Sequence, residues 1–394
     1  MLGTRLIKWP LVQHIYFDHN ATTPLDPEVF QTVVACLDQS YGNASSIHFF
    51  GQLAKQRLEA ARRQLAALIH AAPPQIVFTG GGTESDNLAV LGVARAASGH
   101  RHVITTAIEH PAVLSACAQL EREGVAVTRL RVGAAGVVDP DHVRAAISSA
   151  TVLISVMHAN NELGTVQPIA EIARIAREAG VPLHVDGVQA LGKIPVDIAA
   201  LGVDLYSMSA HKLYAPKGVG ALYVRKGVHL KPLTFGGHHE RDRRPGTENV
   251  PGIAGFGAAA EIAAERLQFE ATRIAALRDR LEASILARIP GTGVNGAASP
   301  RTPNTTNIYF DGVDGEALVI ALDLRGFAVS TGSACSSGAV TPSHVLTAIG
   351  LSAQRARASI RFSLGTSNTT EQIDALVTAI EASVAHLRRI SVHA

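Results

Sequence analysis

The sequence predicts an α/β protein built on a largely parallel, buried sheet, and two observations carry that expectation. Between about Ile76 and Asp204, short β-branched apolar runs alternate with longer stretches of helix formers, the pattern of strands covered on both faces by crossover helices. The chain also has 394 residues, 47 % of them hydrophobic. That is more than one core usually holds, so a large domain with a smaller companion is expected.

Residues 52–69 place Leu53, Leu58, Ala61, Leu65 and Leu68 on one face of a helix. Ile76-Val77-Phe78 then reads as a strand, Asn87 to Ala97 as a helix, Val152 to Val156 as a strand, Ile169 to Glu178 as a helix and Leu183 to Asp186 as a strand. After Pro251, an Ala/Leu/Arg-rich stretch to about Ala287 predicts one extended helix, and the Gly/Pro/Asn-rich segment 290–306 opens a second set of strands and helices. The expected boundary lies beside that long helix: residues 16–260 form the large domain and 261–394 the small one, with the start of the chain contributing to the small domain.

Lys and Arg number 35 against 33 Asp and Glu, a formal charge of +2 with no basic run. A nucleic-acid partner is therefore not expected. The uncharged stretches 64–83 and 326–343 are broken by Pro73-Pro74-Gln75 and by Ser, Thr and Gly, so neither predicts a membrane span. Arg5, Lys8 and Pro10 interrupt what would be a signal sequence's apolar region, residues 1–14 read as a disordered leader or a misassigned start, and the cytoplasm is the expected address. Three cysteines without a CxxC spacing, Cys36, Cys117 and Cys335, speak against a disulfide framework and a cysteine zinc site. No metal is expected, including at His238-His239 beside Glu240.

Chemistry concentrates in a few segments. The strand Ile76 to Thr79 runs into Gly80-Gly81-Gly82-Thr83-Glu84 and a helix, where backbone N–H groups and a helix dipole converge as an anion cradle. By itself the segment reads equally as a tight strand-to-helix turn. It has neither the lysine of a P-loop nor the G-x-G-x-x-G of a dinucleotide fold. Two polar sets, His184 to Gln189 and Ser209-Ala210-His211-Lys212, fall where strands end, the place where open α/β sheets bind ligands. Singly, Lys212 could be a solvated lysine and Asp186 a helix cap. Together with the cradle they point to pyridoxal 5′-phosphate: a lysine for the Schiff base, an acid for the pyridine nitrogen and a cup for the phosphate. Cys335 lies in the small-residue run Ser330 to Gly338, placed to react, whereas Cys36 and Cys117 sit among apolar neighbours at helical spacing.

Longer motifs carry a family resemblance: Tyr16 to Pro24, Gly42-Asn43-Ala44-Ser45-Ser46, Met157 to Gly164, Arg241 to Asn249 and Ser359 to Gly365. Over nearly everything after residue 15 the chain resembles the cysteine desulfurases, class V aminotransferases of the fold-type I pyridoxal-phosphate enzymes. The resemblance implies a mostly parallel seven-stranded sheet with a smaller α+β C-terminal domain. It implies that L-cysteine is converted to L-alanine and that Cys335 takes the sulfur as a persulfide, for delivery to an acceptor such as an iron–sulfur scaffold. Lys212 would be the Schiff-base lysine, Asp186 the partner of the ring nitrogen, Gln189 a donor near the ring hydroxyl and His110 the stacking and proton-transfer group. Gly82, Thr83, Ser209 and His211 would hold the phosphate, with Thr247 reaching in from the second subunit of a homodimer, and Asn161 and Arg361 would face the substrate, Asn161 touching the cofactor as well. Ala215, Pro245 and Thr366 depart from the family pattern. A selenocysteine lyase, a cysteine-sulfinate desulfinase and a non-catalytic scaffold of a sulfur-assembly complex are the alternatives.

Overall fold

The structure, a computed structural model, describes residues 14–332 and 342–391. It opens with strand β1 (Ile15–Tyr16) and helices α1 (Pro27–Gln39) and α2 (Phe49–Leu68). Then strands and helices alternate as β2 (Ile76–Thr79), α3 (Gly82–Ala96), β3 (His102–Thr106), α4 (Pro111–Arg122), β4 (Ala126–Leu130), α5 (Pro140–Ala146), β5 (Thr151–Met157), α6 (Ile169–Glu178), β6 (Leu183–Asp186), α7 (Ile198–Leu201), β7 (Leu205–Ser209) and β8 (Gly220–Val224). Strands β2 to β8 form one seven-stranded sheet in the order β2-β8-β7-β6-β5-β3-β4. Within it β8 alone runs antiparallel to its neighbours, and the other pairs are parallel.

Alternation along each strand explains why both faces are covered. Val77, Val103, Leu153 and Leu205 pack on the α3 and α4 side, while Phe78, Ile104, Ile154 and Tyr206 pack on the opposite side with α2 and α6. Helix α3 begins at Gly82, five residues before the start expected at Asn87. Periodicity misses that first turn because its residues are glycine and polar. Gly81, at φ +154° and ψ 179°, turns the strand straight into the helix in a backbone region open essentially to glycine.

Helix α8 (Val250–Arg288) runs 39 residues, about 58 Å at 1.5 Å per residue. Its first part, through Ile253, Phe256 and Ala260, joins the core beneath the large sheet, and its last part, through Ile274, Leu281 and Ile285, joins a second core. That second core contains β9 (Thr292–Val294), β10 (Thr305–Phe310), α9 (Gly315–Asp323), β11 (Phe327–Ala328), β12 (Ser359–Ser363) and α12 (Thr370–Ser391). Strands β12-β10-β9 make an antiparallel sheet, and β1 pairs in parallel with β11, so Phe17 is buried in the second core. Two short helices, α10 (His344–Ala348) and α11 (Ala353–Arg357), lie between β11 and β12, yet their Val345, Leu346 and Ala356 pack with the first core. Thr366, one of the departures from the family pattern, turns its backbone inward: its carbonyl accepts from Arg273 Nη2 at 2.8 Å and its N–H donates to the Tyr214 hydroxyl at 3.0 Å.

The segment between β8 and α8 is held by a buried ion pair. Arg62 of α2 meets Glu240 through two hydrogen bonds of 2.7 and 2.8 Å, and Phe78 N–H donates to the same carboxylate at 2.9 Å. Glu240, Arg241 and Asp242 all have positive φ, 45°, 58° and 65°, and the bonds from Arg62 and Phe78 hold the first of them in place. Removing either partner would leave an uncompensated buried charge, which costs about 3–5 kcal/mol. The Glu240 carboxylate is thus committed to Arg62, and His238 Nδ1 faces Asp242.

Candidate active site

The site lies at the carboxyl ends of the parallel strands. Lys212 follows β7 on a single helical turn, and its Nζ donates to the carbonyls of Asn20 at 2.5 Å and Ala21 at 2.6 Å. Burial pushes this amine down to about 8; the Arg361 charge adds to the shift, while Asp18 and Asp186 oppose it. Asp186 ends β6 with its carboxylate buried, Oδ1 accepting from Val188 N–H at 3.0 Å. Burial raises its pKa, and the charges of His110 and Lys212 hold it back. His110 caps α4, with Nδ1 accepting from Ala112 N–H at 3.1 Å. Its pKa falls through burial, against the pull of Asp186.

Beside these groups opens a cleft lined by Gly80, Gly81, Gly82, Thr83, Ser209 and His211. No side chain caps the N-terminus of α3, and a Cβ on Gly82 would stand 2.8 Å from Val188 Cγ2. Gly82 is therefore a close backbone approach, with amide groups free to face an anion. His211 Nδ1 lies 3.1 Å from the Thr22 hydroxyl, and burial lowers this imidazole to about 4. Three cations that sequence reasoning did not assign, Lys217, Arg243 and Arg244, complete the wall. Arg244 is also tied to Glu84 at 2.9 Å. Thr247 is exposed and does not line this cleft.

The groups expected to face the substrate meet through the N-terminal segment. Arg361 on β12 donates from Nη1 to the Asn161 carbonyl at 3.1 Å and from Nη2 to Asp18 at 2.6 Å, while its buried Nε has no partner among the described residues. Gln189 Nε2 donates to the Asn20 carbonyl at 3.0 Å. Asn20, one residue of the motif Tyr16 to Pro24, is the hub of the site: its Nδ2 donates to the Asn161 carbonyl and to Thr305, and its Oδ1 accepts from Lys193 and Asn304. Nothing local in the sequence marks this, because the partners come from both cores. Cys335 lies outside the described residues. Cys36 and Cys117 are buried in apolar surroundings, and burial pushes the Cys117 thiol up to about 12, far from reactive.

Comparison with known proteins places this geometry. The aminotransferase class-V family model matches residues 15–376. The chain is 48 % identical over 377 residues to the cysteine desulfurase of Trichormus azollae, covering 96 % of this chain and 94 % of that one. It is 47 % identical over 380 residues to the cysteine desulfurase IscS of Dictyoglomus turgidum, covering 96 % of each. The chain belongs to the cysteine desulfurase group of the class-V aminotransferases. A solved NifS-like protein superposes on this class-V aminotransferase with a TM-score of 0.89 at 37 % identity, over 95 % of this chain and all of that one. Another, SspA in complex with cysteine, gives 0.79 at 37 % identity over 89 % of this chain and 98 % of that one.

Pyridoxal 5′-phosphate is the cofactor of that family, and the residues present fit it. The cradle at Gly82 suits a phosphate, Lys212 is an enclosed amine of depressed basicity, and Asp186 is a buried carboxylate suited to a cationic N–H. One consequence is measurable without cofactor. In the cofactor-free protein, competitive acylation of Lys212, read by peptide mass spectrometry across pH, should titrate at about 8, while exposed lysines titrate near about 10.4. A Lys212 midpoint near the ordinary value would show that its surroundings do not activate it.

Proposed function

We propose that this class-V aminotransferase releases L-alanine from L-cysteine and leaves the sulfur on Cys335 as a persulfide, from which an acceptor protein such as an iron–sulfur scaffold draws it. The observation that carries the reading is the convergence of Lys212, Asp186 and His110 beside the Gly82 cradle, each on a different strand end or helix start. Bound pyridoxal phosphate supplies an electron sink for the pair left at the substrate Cα. Lys212 Nζ then moves the Cα proton, and its depressed basicity keeps a share of the amine neutral near pH 7. Asp186 holds a proton at the ring nitrogen, Gln189 turns an N–H to the ring oxygen, and His110 stacks on the ring. Gly82, Thr83, Ser209 and His211 hold the phosphate, while Asn161 and Arg361 orient the amino acid.

In the transfer step the Cys335 thiolate attacks the substrate sulfur. The Cβ–S bond breaks, its electron pair stays with carbon and a proton completes the methyl group of alanine. The experiment is to incubate the purified holoenzyme with L-cysteine, quantify alanine and search tryptic peptides for a sulfur adduct of about 32 Da on Cys335. Cys335→Ser should lose the adduct and keep only slow turnover fed by added thiol. An adduct confined to Cys36 or Cys117, or full alanine release by Cys335→Ser, would turn the reading toward a lyase that needs no covalent acceptor.

The active form is proposed to be a two-fold dimer in which Thr247 completes the phosphate site of the other subunit. Support comes from Thr247 lying exposed and apart from its own chain's cleft. It comes also from an apolar group left bare around the start of α2: Tyr41, Ile47, Phe49 and Phe50 are 68, 93, 73 and 46 % exposed. Sedimentation should give a dimer at assay concentrations, and a fully active monomer would contradict it.

A further inference from the structure

Lys193 is an amine at the site that the proposed mechanism leaves unused. It follows Gly192, which sits at φ +70° in the turn after β6, and its side chain reaches in toward the N-terminal segment. Its Nζ donates to two carboxamide oxygens, Gln189 Oε1 at 2.5 Å and Asn20 Oδ1 at 3.0 Å. We propose that Lys193 is a positioning residue that locks the Gln189 carboxamide with its oxygen turned away from the cofactor ring and its N–H₂ group available to it. The proposal rests on the reading that Gln189 faces the ring oxygen.

The two ends of a carboxamide are nearly the same size, so shape does not choose between them; the neighbouring donors and acceptors do. Here both ends are specified. Gln189 Oε1 receives the Lys193 amine, and Gln189 Nε2 gives one N–H to the Asn20 carbonyl at 3.0 Å, which leaves its second N–H to spare. Turning the amide over would set N–H₂ against the Lys193 donors and oxygen against the Asn20 carbonyl, exchanging two hydrogen bonds for two repulsive contacts. The same Asn20 carbonyl accepts from Lys212 Nζ at 2.5 Å, so the lock is continuous with the lysine of the site. Burial and the charges of Lys212 and Arg361 push the Lys193 amine well below the ordinary lysine range, while the two carboxamide oxygens it donates to favour its protonated, donor-only form. Its effect falls on a titration because an N–H donor favours the anionic form of the ring oxygen.

The test is a double-mutant cycle read by spectroscopy. Wild type, Lys193→Met, Gln189→Met and the double variant are reconstituted with pyridoxal phosphate, and the visible absorbance of each is titrated with pH. Lys193→Met should raise the midpoint by about one pH unit, a tenfold change in the proton equilibrium. In the Gln189→Met background it should add nothing. The other titratable or charged groups that bear on Lys193 are Lys212, Arg361, His19 and His211, and they are the same in both backgrounds. An equal shift in both backgrounds would mean that Lys193 acts by its charge and would overturn the proposal, as would no shift in either. Should Lys193→Met fail to fold, Lys193→Gln takes its place, since it keeps an N–H donor without the amine: a midpoint near wild type supports the lock, and one raised by about a unit overturns it. A wild type with no visible band overturns the reading of the site, and the proposal with it; a normal band without the background dependence overturns Lys193 alone.

Discussion

Lys212→Ala should remove essentially all alanine production from L-cysteine, by about 10⁴-fold or more, because one substitution takes away both the nucleophile that joins the cofactor and the base that moves the Cα proton. The geometry explains why no neighbour can substitute. Lys193 is tied to Gln189 and Asn20, His211 is lowered to about 4, and Arg361 is engaged with Asp18 and Asn161. The variant should still fold, since Lys212 spends its hydrogen bonds on two loop carbonyls and none of the apolar cores contains it. Thermal unfolding should lie near that of wild type without cofactor, and the phosphate cradle should still bind pyridoxal phosphate reversibly. Normal alanine release by purified Lys212→Ala would overturn the assignment.

What the sequence disclosed depended on how locally each feature is encoded. The strand ends that carry Asp186 and Lys212, the glycine turn at Gly80 to Gly82 and the 39-residue helix α8 are each set by a contiguous run whose periodicity or turn chemistry is visible. The start of α3 was displaced because glycines and polar residues carry no apolar period. The Asn20 hub was invisible for a different reason. Its hydrogen-bond partners stand 141 residues away at Asn161, 192 at Lys212 and 285 at Thr305, and a sequence shows no distance between segments that only folding brings together. The Arg62–Glu240 pair, 178 residues apart, and the cations Arg243 and Arg244 in the wall of the glycine cleft are hidden in the same way, since charged residues in a loop ordinarily face water. The long motifs at Tyr16 to Pro24 and Met157 to Gly164 marked that these segments matter, and their contacts show how: both converge on Asn20 and Arg361.

Asp186→Asn should leave the cofactor bound and cost about 10²–10³ in turnover, the scale of losing one preorganised electrostatic partner in a water-excluded site. Binding survives because the phosphate cradle, Lys212 and Gln189 are untouched. Turnover falls because a neutral amide no longer holds a proton at the ring nitrogen, and the pair left at the substrate Cα then has a weaker sink. The surroundings make that charge hard to replace. Asp86, buried nearby, has its pKa raised by burial and by the Asp186 charge, and Glu109 is pushed up to about 8, so neither offers a ready second carboxylate at neutral pH. The sign of the pH response separates this account from a simple loss of packing. Loss of the Asp186 charge lowers Lys212 further, so protonation of this amine below about 8 slows wild type at least as much as the variant, and falling pH also supplies from solution the ring proton that only the variant lacks. The ratio of wild-type to variant turnover should therefore shrink as pH falls from 8 to 6. A ratio that stays flat would assign the ring charge to another group, and a ratio that widens would mean that Asp186 itself must be ionised for a step other than holding that proton.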